Sequence, residues 1–93
     1  MILDKHNEEV IIGNAYQYIF AWPGPDITLL IAKSFTEDNK VLCYDCNFNF
    51  ELTVNPTELF QRIGTWSEHE MDLVKNNNGN YQQILDHNEG VKK

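Results

Sequence analysis

Residues Leu42 to Val54 constrain the fold more than any other stretch. Leu42, Tyr44, Cys46, Phe48, Phe50, Leu52 and Val54 alternate with Asp45, Asn47, Asn49, Glu51 and Thr53. Strict alternation of apolar and polar residues is the signature of a strand with one face on a core and one in water. A strand this long exceeds the usual length, so a bulge or a tight turn near Asp45-Cys46-Asn47 is expected to divide it.

Two further strands precede it. Ile27, Leu29, Ile31 and Phe35 share one side of an extended segment, while Leu30 and Ala32 make the other side apolar too. That pattern suits a central strand covered on both faces. Thr36-Glu37-Asp38-Asn39 reads as the hairpin loop leading to the next strand. Val10 to Trp22 also reads as strand, bent at Gly13-Asn14, and Pro23-Gly24-Pro25-Asp26 is a turn.

After Val54 the period changes. Asn55-Pro56-Thr57-Glu58 carries an N-cap, a proline at the first helical position and a returning Glu, with Leu59, Phe60 and Ile63 as the apolar face and Gly64 as the stop. Ser67 and Glu70 have capping-box spacing and predict a helix over 68–75. Asn80 with Gln83 is again cap-like, with Tyr81, Ile84 and Leu85 on one helical face. A hairpin around Asn78-Gly79 is the competing reading. The expected architecture is a single α+β domain over 1–93: an antiparallel β-meander of about three strands packed against two or three short C-terminal helices. The expected core is Ile12, Phe20, Leu29, Ile31, Leu42, Tyr44, Phe48, Phe50, Leu52, Leu59, Phe60 and Ile63. On that phase Phe50→Ala should cost about 3–5 kcal/mol.

Composition narrows the function classes. Hydrophobic residues are 42% and charged residues 23% of the chain, an ordinary globular balance. Seven Lys and Arg against 14 Asp and Glu give 7 − 14 = −7. Binding a phosphate backbone needs clustered cations, so a nucleic-acid partner is not expected. Met1-Ile2-Leu3 runs straight into Asp4 and Lys5, without the apolar stretch of a secretory signal. Ile27 to Ala32 is far too short to span a bilayer, so no membrane role is expected. Two cysteines are too few for a disulfide framework, and a cytoplasmic setting is the simplest expectation.

Cys43-Tyr44-Asp45-Cys46 has metal or redox spacing. On a strand, a three-residue offset sends the two thiols to opposite faces, and no helix follows to lower a thiol pKa. Only a tight turn at Asp45-Cys46 would restore the metal reading. His6, His69 and His87 are isolated, and no nucleophile stands in a recognisable turn. The five glycines form no phosphate loop. No enzyme activity, cofactor or metal is expected.

What remains is surface chemistry. Asp45, Asn47, Asn49 and Glu51 fall in line along the wet face of the long strand, about 6.6–7 Å apart. Glu68, Glu70 and Asp72 form a second acidic group on a helix. These seven residues are the candidate partner-binding set. The expectation is a non-enzymatic acidic protein that neutralises a basic partner, such as a toxin immunity protein, an antitoxin or a nuclease inhibitor. The alternatives are a small domain that self-associates through a sheet face and a small Cys/His metal-binding protein. Oligomeric state is left open.

Overall fold

The computed structural model describes residues 1–20 and 25–92. Trp22 and the Pro23-Gly24 part of the expected turn lie outside the described residues. The fold is α+β, with one antiparallel sheet and two helices among the described residues. The strands are β1 (Ala15–Phe20), β2 (Asp26–Phe35), β3 (Val41–Asp45) and β4 (Phe50–Val54), and they lie side by side in chain order. A single 3-10 turn, Pro56–Glu58, precedes α1 (Glu68–Asn76) and α2 (Tyr81–Lys92).

The long third strand is divided where expected, by a turn and not a bulge, so the sheet has four strands where about three were expected. Asp45 starts a four-residue turn, 46–49, in which Asn49 adopts φ 58°. Asn tolerates that left-handed conformation better than most residues. The hairpin changes the meaning of the alternation. In one continuous strand all the even positions would share a face. Here Cys43 pairs with Leu52 and Val41 with Val54, so odd positions of β3 share a face with even positions of β4.

Both faces of the sheet are covered. On one side Tyr16, Leu30, Ala32, Val41, Cys43 and Val54 are buried together with Val10 and Leu59. The N-terminal segment and the 55–60 connection make this cover: Val10 donates its amide to Ile2, and Lys5 to Leu59. On the other side Ala15, Leu29, Ile31 and Cys46 pack under Trp66, Val74 of α1 and Ile84 of α2. The double burial of β2 follows its expected pattern.

Around Pro56 the expected helix is replaced. Asn55 makes no side-chain cap, and only Pro56–Glu58 turns. Phe60 instead pairs with Gln17 on the outer edge of β1, donating to and accepting from its backbone. Sheet hydrogen bonds to β1 outweigh a short helix whose N-cap is empty. Ile63 consequently projects into solvent, 87% exposed.

The two later helices form as their caps predict. Ser67 accepts from the Glu70 amide while Glu70 accepts from the Ser67 amide. Asn80 accepts from Gln83 at the start of α2. The amide side chains of this region also tie the helices to the sheet. Gln83 accepts from the Ala15 amide and donates to the Ala15 carbonyl. Asn88 grips both backbone groups of Trp66 likewise, which ties α2 to the connection that precedes α1. Gly79 lets the α1–α2 connection press onto β2: a Cβ there would lie 2.7 Å from Val74 Cγ1 and 2.9 Å from Ile31 Cδ1.

Candidate partner-binding surface

The seven candidate residues do not form one surface. Asp45 is fully buried. Its Oδ1 accepts from the amides of Asn47 (2.8 Å) and Phe48 (3.0 Å), and both its oxygens accept from Thr28 Oγ1 at 3.0 Å. The carboxylate organises the β3–β4 turn and has no free face for a partner. The expected row from Asp45 to Glu51 fails because the turn bends the chain through it.

Asn47 and Asn49 are exposed, but their amides serve the same turn. Asn47 Nδ2 donates to Thr28 Oγ1, and Asn49 Oδ1 accepts from Tyr44 Oη, both at 3.0 Å. Glu51 is exposed on β4. On α1, Glu68 and Asp72 are exposed at helical i, i+4 spacing. Glu70 is half-buried: it closes the capping box and pairs with Arg62.

Sequence reasoning missed the aromatic end of the sheet. Phe48 is 61% and Phe50 44% exposed, although both were expected in the core. The Phe20 ring lies edge-on to Tyr18 at 5.7 Å and to Phe48 at 5.8 Å. Burial pushes the Tyr18 phenol above its usual pKa, and the neighbouring Glu58 carboxylate adds to the rise. Leu42, Tyr44, Leu52 and Phe20 are half-buried, and Ile12 is exposed. The break expected near Asp45-Cys46-Asn47 held the correction, because a turn there, unlike a bulge, reverses which positions of the run share a face.

The cations do little to neutralise this surface. No Lys or Arg occurs between Lys40 and Arg62. Among the described residues the ion pairs are Lys40–Asp38 and Arg62–Glu70. Lys5, Lys33, Arg62 and Lys75 lie over the rings of Phe60, Tyr44, Trp66 and Tyr81 respectively, 5.4–5.8 Å from the centroids. Glu51, Glu58, Glu68 and Asp72 make no ion pair among the described residues.

The turn after Asp45 does not join the two thiols. Cys43 packs with the core on one side of the sheet and Cys46 with the core on the other. Burial pushes Cys43 up to about 12 and Cys46 to about 11, so both are protonated near neutrality. No cluster of three or more His, Cys, Asp or Glu suited to a metal occurs among the described residues. His87 packs edge-on against Trp66, and its Nε2 lies 2.7 Å from the Gly64 carbonyl, a role in holding α2.

No helix among the described residues is long and apolar enough to cross a membrane. No protein-family model, curated protein or solved structure matches the chain.

Proposed function

We propose that this is a non-enzymatic binding protein whose acidic surface engages a basic protein, in the manner of an inhibitor of a toxin or nuclease. The observation that carries the reading is the group of exposed carboxylates, Glu51, Glu68 and Asp72 among them, left without a cation of the same chain among the described residues. A net charge of −7 steers a basic partner toward it. The exposed rings of Phe48 and Phe50 add apolar anchors of the kind that dominate protein interfaces. Asp45 and Glu70 support the folded framework, and the contacts to a partner fall to Glu51, Glu68 and Asp72.

The test is kinetic. A partner captured by the purified chain is identified, produced separately and mixed with it at varied salt. The expected association rate falls at least about tenfold between about 0.01 M and 1 M salt, where the screening length shrinks from about 30 Å to about 3 Å. A rate indifferent to salt overturns the reading.

Self-association is the second reading, favoured by the exposed Ile19 and Ile27 beside the aromatic end. Repulsion between two copies of an acidic chain opposes it. Sedimentation at rising concentration separates the two: a growing mass supports assembly, and a constant monomer removes it.

A further inference from the structure

The two outer edges of the sheet differ. Phe60 occupies part of the outer edge of β1. β4 has no neighbour on its outer side among the described residues. Which of its groups face outward follows from the ladder. The Cys46 amide donates to the Leu29 carbonyl, so the even positions of β3 bond toward β2. Bonding direction alternates along an antiparallel strand, so Cys43 and Asp45 bond toward β4. Their partners Leu52 and Phe50 point back at β3. The N–H and C=O groups of Glu51 and Thr53 therefore face the open side.

The side chains at this edge also alternate. Phe50, partly exposed, and Leu52, half-buried, lie on one face, and Glu51 and Thr53 are exposed on the other. No cation lies in the chain from 41 to 61. A strand added antiparallel at this edge, as in every other pair of the sheet, would set residues directly opposite these side chains, about 4.5–5.5 Å away, with the residue facing Glu51 bonded to its backbone. The complementary sequence is apolar beside Phe50 and Leu52 and cationic beside Glu51.

We propose that β4 is a docking edge for an extended segment of the basic partner, in which apolar residues alternate with Lys or Arg. This deepens the basic-partner reading and rests on it. A second copy of the chain fits less well, because β4 carries no cation to set against Glu51.

The probe is a short capped peptide alternating valine and lysine, compared with one of the same composition whose lysines form a single block. The alternating peptide is expected to bind at least about tenfold more tightly and to protect the Glu51 and Thr53 amides from hydrogen exchange. Thr53→Pro, which deletes an outward N–H at an edge where proline is tolerated, should erase that preference. A peptide N-methylated at its lysines tests the same bonds with the protein unchanged. It should bind no better than the block peptide, while N-methylation at the valines should do little. Equal binding of the alternating and block peptides, without protection at Glu51 and Thr53, overturns strand docking and leaves the basic-partner reading standing. Failure of both peptides to bind at low salt counts against both.

Discussion

Thr28 and Asp45 meet inside the protein, with the Thr28 hydroxyl 3.0 Å from each oxygen of the Asp45 carboxylate. Thr28 belongs to the central strand and Asp45 to the end of β3, so this contact locks the β3–β4 turn to the strand next to it. Asn47 closes the group by donating to the same hydroxyl. The turn that separates β3 from β4 is therefore held by side chains from both sides.

Removing that carboxylate should be costly. Asp45→Ala orphans two turn amides and the Thr28 hydroxyl, and should destabilise by about 2–4 kcal/mol in urea unfolding. Asp45→Asn keeps one acceptor oxygen and should cost less. An Asp45→Ala protein as stable as the parent would show that the turn does not depend on this group.

Phe50 is partly exposed, so truncating it deletes little buried surface. Phe50→Ala should cost about 1 kcal/mol, not the 3–5 kcal/mol of a core aromatic, while Leu30→Ala should cost about 2–5 kcal/mol. Thermal unfolding of the two variants side by side checks the phase of the hairpin. A larger loss at Phe50 than at Leu30 would contradict it.

Gly79 has no room for a methyl group. Gly79→Ala should destabilise by about 1–3 kcal/mol, because the clashing atoms belong to the buried side chains of Val74 and Ile31. The change should appear in urea unfolding as a lower midpoint. Suppression by Ile31→Val, which removes the Cδ1 methyl, would tie the loss to this contact.

The two thiols should make the protein sensitive to alkali. Cys43 and Cys46 lose their protons near 9.0 in an exposed setting and only at about 12 and 11 when folded. Above about pH 9 the unfolded chain binds fewer protons than the folded one, so stability falls as pH rises. Below that range both states are protonated and the contribution is fully present. Each thiol contributes up to about 1.4 kcal/mol per pH unit to the slope, and Cys43→Ala should make it shallower. In the native protein both thiols should react with a disulfide reagent far more slowly than in denaturant.

Much of the architecture was legible because it rests on local chemistry. The two-sided burial of β2 is written in its adjacent apolar residues, and α1 in the Ser67–Glu70 capping box. Tyr81, Ile84 and Leu85 announce α2. The opposite facing of Cys43 and Cys46 also followed from spacing. The candidate site was less legible. Glu51, Glu68 and Asp72 are exposed as expected, but Asp45 and Glu70 are engaged within the chain. Burial of a carboxylate depends on donors that converge from elsewhere, here Thr28 and Arg62, and spacing along one strand or helix carries no record of them.

The amino-acid sequence by itself determined the local elements and the excess of negative charge, since propensity, capping and composition act over a few residues. Only the tertiary structure decided that the break expected near Asp45 is a full reversal and not a bulge, that Phe60 joins the edge of β1 in place of a helix, and that Phe48 and Phe50 face solvent. The reason is that hydrogen bonds from distant strands fix which local option survives, and the direction of every side chain follows from that choice.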